Sequence, residues 1–520
     1  MKKYTLFLML CLTSKLLVFA QNTPIFTQNI KGIVRDADAK SPLIGAAVTV
    51  VGVSPILGAV TNTEGVFKIE KTPVGRYDLQ ISFIGYEPVT VPQVLVTSGK
   101  EVFLTIDLKE SVQKLNTVEI KASRNNQVPL NEMATLSARS FSVEETNRYA
   151  GSFSDPGRMA ANFAGVASNG DFGNEIVVRG NSPKGVLWRL EGIEIPNPNH
   201  FGSLGNSGGG VSMLSGATLS NSDFYTGAFP AEFGNAMSGV FDLKLRNGNT
   251  DRREFAIQAG ALGLEATTEG YFKKGNRASY LFNYRYSTTG LIAAFVPFLK
   301  DFVPKYQDAS FKINVPTTKY GTFTLFGIGG YNISSKEAIY DSIKWKNSND
   351  KEGYSEINKT GVLGVSHKFF FSEKTYMNTV IAQSTSRGVS RNFYLDARKN
   401  YAEIPTDENN LTGDDMRVNI LLNHKFNAKN TVRFGGDWVR TQYNLLSKYY
   451  DNGLKKWIIP FNNSGNGDFF QLYGQWKCRI TEGVTLNTGL HYSRLLLNNT
   501  DALEPRAALQ WHFQTAKPSP

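Results

Sequence analysis

From about residue 250 to residue 515 apolar side chains recur at every second position, as in Phe311/Ile313/Val315, Phe323/Leu325/Gly327, Val418/Ile420/Leu422, Val432/Phe434/Gly436 and Val484/Leu486/Thr488. That period is the period of a strand with one apolar face. Each run is about ten residues, the length a strand needs to cross a bilayer at a tilt. The joints alternate in kind. Short turns are expected at Pro316–Gly321, Phe371–Thr375, Phe426–Thr431 and Thr481–Gly483, and long polar loops at Asn332–Lys359, Arg387–Asp415 and Thr441–Asp468. A soluble β-sandwich has no need of that asymmetry. A membrane barrel does, with turns on one side and loops on the other. No stretch after the first twenty residues approaches the eighteen or so apolar residues of a spanning helix, so any embedding must be by strands.

The amino terminus is a secretory leader by pattern, assigned to residues 1–20. Lys2 and Lys3 supply the charge, Leu6–Leu12 the apolar run, and Ala20 a small residue before a cut at Gln21. Of the two cysteines, Cys11 lies in this leader, which leaves Cys478 with no partner for an internal disulfide. The net charge is +11, but Lys and Arg are spread along the chain with acids between them, unlike the concentrated basic face of a nucleic-acid-binding protein.

Residues 29–109 read as a separate β-sandwich. Gly32-Ile33-Val34 opens a strand, Pro42–Val48 is a turn into another, Thr61–Phe67 reads as a hairpin, and Pro73–Leu79 and Phe83-Ile84-Gly85-Tyr86 continue the series. The unit resembles the carboxypeptidase-regulatory-like domain, a module without protease chemistry, and it contains no His or Cys.

Between Val177 and Val240 short strands alternate with glycine turns. The ordered series is Val178-Arg179-Gly180, then Leu190-Glu191-Gly192-Ile193-Glu194-Ile195, then Phe229-Pro230-Ala231-Glu232-Phe233-Gly234, then Ser238-Gly239-Val240. It resembles the plug domain of TonB-dependent outer-membrane receptors, which usually carry Asp-Gly where this chain has Glu191-Gly192. The resemblance marks Arg179, Gly180, Glu191, Gly192, Gly234 and Gly239 as plug-motif residues, with Arg179 holding the plug together or to its barrel rather than touching a ligand. Within a plug spanning residues 129–245, Ser142–Ala150 and Asp155–Phe163 read as short helices, the second capped by Asp155 with Pro156 at its first position.

The linker, residues 110–128, carries Leu115-Asn116-Thr117-Val118-Glu119-Ile120-Lys121-Ala122. By the same resemblance this octet is the TonB box, an extended segment that pairs with the periplasmic energiser by strand addition; the other reading is the first strand of the plug.

The resemblance implies a mainly β fold: an N-terminal β-sandwich, a small α+β plug and an antiparallel transmembrane β-barrel over residues 250–515. Barrels of that family have about 22 strands, whereas the residues here suffice for roughly 11 or 12. An incomplete barrel is therefore expected, with a truncated gene product as the preferred reading and a complete smaller barrel as the alternative. The function implied is uptake of a scarce solute (siderophore, cobalamin, peptide or glycan) from outside the cell, with the N-terminal domain in the periplasm. The implied partners are the energiser, the solute and outer-membrane lipid, with a surface lipoprotein as a further candidate. A binding or signalling protein without transport is the alternative.

Catalysis is not expected, and neither a metal nor another cofactor is. His200, His367, His424, His491 and His512 show no metal-ligand spacing. Gly205-Asn206-Ser207-Gly208-Gly209 matches a nucleophile elbow only formally, since glycine continues at Gly210 where a helix should start. Asp301, Asp308, Asp414 and Asp415 read as solvated loop carboxylates. The run Ile120-Lys121-Ala122-Ser123-Arg124 departs from the valine-rich box of starch-utilisation-type glycan importers.

Overall fold

The computed structural model describes residues 26–112, 129–288 and 305–511, apart from 135, 150, 153–154, 171–172, 203–204 and 261–262. The leader and the octet Leu115–Ala122 lie outside the described residues. The chain forms two compact units, residues 1–126 and 127–520.

In the first unit two sheets face each other. Thr27–Asp36 lies between Val66–Pro73 and Val102–Leu108, and the second sheet runs in the order Gly58–Val60, Ala47–Val50, Gly75–Ser82, Val89–Val96. Alternate residues of both sheets are buried between them: Ile30, Val34, Phe67 and Ile106 from one, Val48, Leu79, Ile81 and Val96 from the other. The turn at Asn62–Gly65 is present, with Gly65 at φ 71° and its amide bonded to the Asn62 carbonyl. Its flanking strands, however, pair in different sheets. The expected hairpin is thus a crossover between layers, because strand spacing in sequence does not say which neighbour a strand will pair with. Between Thr27–Asp36 and its neighbour, Arg35 and Lys40 both reach Asp107, at 2.9 and 2.7 Å.

The second unit is a small α/β domain cupped by a large sheet. The domain's sheet runs Ile193–Glu194, Leu187–Leu190, Val240–Leu243, Ser222–Tyr225, Ala138–Phe141. Two short helices follow its edge strand Ala138–Phe141. Val143–Arg148 is capped by Ser142, and Pro156–Ala160 by the carboxylate of Asp155, with proline at the first position as expected. At the core Trp188 stacks on Phe241 at 4.2 Å, and Phe224 packs on the same ring at 4.3 Å. This core runs on into the large sheet without a break, taking in Phe326, Ile328, Val362 and Val380.

The large sheet has twelve antiparallel strands paired strictly in sequence order, from Glu254–Ala259 to Thr500–Trp511. Among the described residues no ladder joins the first strand to the last. Short turns fall where the sequence placed them, after Pro316, Ser372, Lys425 and Arg479. Of the long loops only the first survives, shortened to residues 337–351; the other two do not. Strands Glu352–Ser372, Thr375–Asp396, Ala402–Lys425, Asn430–Asp451 and Lys456–Arg479 are 21 to 24 residues long, and they run through most of the polar stretches. Pairing needs only backbone groups, so a ladder continues after the side chains turn polar. Hydropathy marks where a strand leaves an apolar medium, not where it ends.

Candidate functional site

The plug motif residues are backbone devices. Arg179 and Gly180 both have positive φ, 50° and 78°, and so do Glu191 and Gly192, 53° and 96°. Each pair forms the two-residue turn whose twist suits a hairpin. Glu191-Gly192 closes the hairpin that pairs Leu190 with Ile193, and Arg179-Gly180 closes the bridge from Val178 to Asn181. The Arg179 guanidinium donates to Ser137 Oγ at 2.7 Å, a contact within the plug. Gly239 packs under the Tyr225 carbonyl, and Gly234 lies where the plug meets the wall. A Cβ on Gly234 would overlap the Gln471 amide oxygen and come within 2.7 Å of His491 Nε2.

What the sequence did not disclose is how the plug is held. The wall offers cations and the plug offers carboxylates. Lys477 pairs with Glu132 at 3.1 Å, Arg433 with Glu232 at 2.9 Å, and Lys312 with Glu191 at 3.0 Å. Arg417 lies 3.4 Å from Glu194 and 2.6 Å from Asp437. Arg506 donates to the carbonyls of Pro230 and Phe233, both at 2.7 Å. Glu191 and Glu232 belong to the very motifs that marked the plug. Their wall partners were legible only as cations in the inward register of a strand, a register that no sequence pattern sets without the plug.

Burial raises the Glu232 carboxyl, yet Arg433 outweighs it and holds the group below the usual carboxylate range. For Glu194 burial prevails over Arg417 and its affinity for a proton is raised. Asp308, expected in a solvated loop, is buried on a strand instead. Its carboxylate lies 2.9 Å from His200 Nε2 and 2.7 Å from the Arg285 guanidinium, so a plug histidine and a wall arginine share one acid; Asp301 is outside the described residues. Asp415 also sits on a strand, where it accepts from Thr441 Oγ1 at 2.6 Å.

The segment that follows the linker is clamped as well. Asp223 accepts the backbone N–H groups of Leu130 and Asn131, each at 2.9 Å, Arg433 donates to the Asn131 side chain at 3.0 Å, and Asn487 donates to the Met133 carbonyl at 2.6 Å. Ser207 of the formal elbow is buried and bonds the Pro183 carbonyl, as a plug loop should. Among the described residues no group of three His, Cys, Asp or Glu side chains is arranged to hold a metal ion.

The comparisons agree with this architecture. The family model of the carboxypeptidase regulatory-like domain matches residues 29–109. The outer-membrane transporter YddB from Escherichia coli is similar over 72% of this chain and 58% of its own, at 13% identity and a TM-score of 0.50. The siderophore receptor PirA from Acinetobacter baumannii aligns over 73% of this chain and 59% of its own, at 11% identity and a TM-score of 0.49. A mutant of the ferric enterobactin receptor PfeA from Pseudomonas aeruginosa aligns over 72% and 59%, at 14% identity and a TM-score of 0.47. The likeness to YddB establishes the fold alone, a small domain set against a large antiparallel sheet. The chain spans less than two thirds of the length of these structures. No curated protein matches it in sequence.

Proposed function

We propose that the protein is a TonB-dependent outer-membrane receptor that takes up a scarce extracellular solute. The observation that carries this reading is the plug, seated against the curved sheet by the ring of ion pairs and preceded by a linker holding a box-like octet. A plug fixed by specific polar contacts is a gate: shut at rest, opened by work done on it. Its exterior supports a place in lipid. On the wall strands, the register opposite to the plug-facing side chains exposes Leu363, Val365, Ile381, Ile420, Phe434 and Leu472, an apolar belt at one level of the sheet. The described residues contain no helix long and apolar enough to cross a membrane, so crossing falls to the strands.

In this reading the solute binds on the outer side, between the wall and the plug, and the energiser pairs with Leu115–Ala122 from the periplasm and draws on the clamp at Leu130–Met133. The N-terminal sandwich then lies in the periplasm. Deletion of Leu115–Ala122 tests it: uptake of the bound solute by cells should vanish while binding at the surface persists. Uptake that survives the deletion refutes energiser-driven transport. The alternative, a binding or signalling protein, predicts binding with no uptake in either form.

A further inference from the structure

The N-terminal sandwich leaves one sheet edge without protection. Its two sheets end in four edge strands, and three of them are guarded. Val66–Pro73 carries Lys68, Glu70 and Lys71. Val102–Leu108 carries Asp107 and is flanked by Glu101 and Lys109. Val89–Val96 carries Pro92 and a register shift across from Asp78, with Gln93 at φ 57°. Charges, prolines and bulges are the usual means of keeping a second chain from adding to a sheet. Gly58–Val60 has none of them, and residues 41–63 around it hold no charged side chain.

Hydrogen bonding shows which groups of this edge are free. On its inner side the Leu57 carbonyl accepts from the Val50 amide at 2.8 Å, the Thr61 amide donates to the Ala46 carbonyl at 2.9 Å, and Ala59 stands opposite Val48. The odd positions therefore direct their backbone groups at Ala47–Val50, which turns the N–H and C=O of Gly58 and Val60 outward, where no strand lies among the described residues. The same alternation sets the side chains of Ile56, Gly58 and Val60 on one face. Ile56 is 81% exposed and Val60 64%.

Such an edge fits a copy of itself. Two antiparallel Ile56–Val60 segments related by a twofold axis set Gly58 against Gly58, Ile56 against Val60 and Val60 against Ile56. Positions 56, 58 and 60 share one parity, so this register brings each outward N–H to an outward C=O, and it closes two apolar cross-strand pairs on one face. A slip of one residue sets outward groups against groups that already face Ala47–Val50, so the register is fixed. An uncharged edge meets its equal without repulsion and offers no ion pair to a charged partner.

We propose that the N-terminal sandwiches of two copies of this protein join at Gly58–Val60, extending the four-stranded sheet of each into one sheet of eight. The contact is isologous. With five residues a side it falls short of the roughly 20–30 of a stable interface, so the association is weak and concentration-dependent.

Cysteine pairing reads the register. Residues 21–520 with Cys478→Ser, purified in detergent, carry Ile56→Cys in one preparation and Val60→Cys in another. Mixed under a mild oxidant, they should give a disulfide-linked species of twice the chain mass about fivefold or more above either alone, because each cysteine meets its counterpart only across the two variants, at a separation a disulfide can bridge. On the otherwise unchanged chain, Ile56→Lys with Val60→Lys should abolish the concentration-dependent doubling of mass in sedimentation and leave the melting temperature unchanged, since both side chains are exposed. No cross-link above the level of the single variants overturns the inference, as does cross-linking equally strong in either variant alone. Doubling that persists in the lysine variant also overturns it, by placing the contact elsewhere, as at the open edges of the large sheet. Cross-linking in whole cells to a different protein in preference to the second copy does the same.

Discussion

Asp107 and Asp223 are both buried carboxyls, and they answer to pH with opposite sign. Burial pushes Asp107 up, but Arg35 and Lys40 overcome it and hold the group below its ordinary value. Its contribution is therefore present above the unfolded-state value near 4 and is lost as pH falls through the lower folded value. Asp107→Asn should destabilise the N-terminal sandwich by about 2 kcal/mol at pH 7, less than a fully buried pair because Arg35 is partly solvated; it should also flatten the acid limb of its melting temperature against pH. Asp223 is pushed up to about 6 by burial, against the two backbone bonds it accepts. Its contribution is full below the unfolded value and declines as pH rises through about 6, so Asp223→Asn should make the plug's protection from trypsin less sensitive to pH between 5 and 7. Gly234→Val should cost about 1–3 kcal/mol by overpacking the plug–wall contact, read as a lower melting temperature and faster plug proteolysis. None of these partners was legible beforehand, whereas the turns Arg179-Gly180 and Glu191-Gly192 were, because a two-residue turn with positive φ has a local signature. Asp308 was misread because its partners, His200 and Arg285, are remote in sequence.

At the level of elements, alternation identified the strands and the short turns, and it failed on strand length. Amides in 402–415 and 437–447 should exchange slowly with deuterium, as members of a continuous ladder, while those of 397–401 and 452–455 exchange fast. Rapid exchange throughout both polar stretches would restore the long loops. The ion pairs between plug and wall are likewise element-to-element contacts. Arg433→Leu leaves Glu232 buried without its partner and should cost about 3–5 kcal/mol, whereas Arg433→Met combined with Glu232→Gln should cost much less. A double-mutant cycle on melting temperature measures the coupling, and additive losses would show that the pair holds nothing.

For the whole molecule, twelve strands agree with the number the residues allow, and the likeness to a solved transporter extends over 72% of the chain. The edges Glu254–Ala259 and Thr500–Trp511 each present backbone groups to no partner strand among the described residues, and in lipid each unpaired group costs several kcal/mol. Residues 21–520 on their own should therefore show no fast-migrating form on an unheated gel that disappears on boiling. Such a form would mean that the sheet closes in the membrane. Tertiary facts of this kind lie beyond periodicity, which reports a strand's faces and not what its edges meet.

The ring of charges around the plug also has a mechanical meaning. Moving the plug pulls Glu132, Glu191 and Glu232 away from Lys477, Lys312 and Arg433, and the attraction of each pair opposes the separation. So long as the plug is displaced without unfolding, the opened state stores the work done on it and returns it as a restoring force once the pull ends. In the transporter reading proposed above, such a gate needs energy to open and none to reseal, so a cell that runs short of power is left with its outer wall closed.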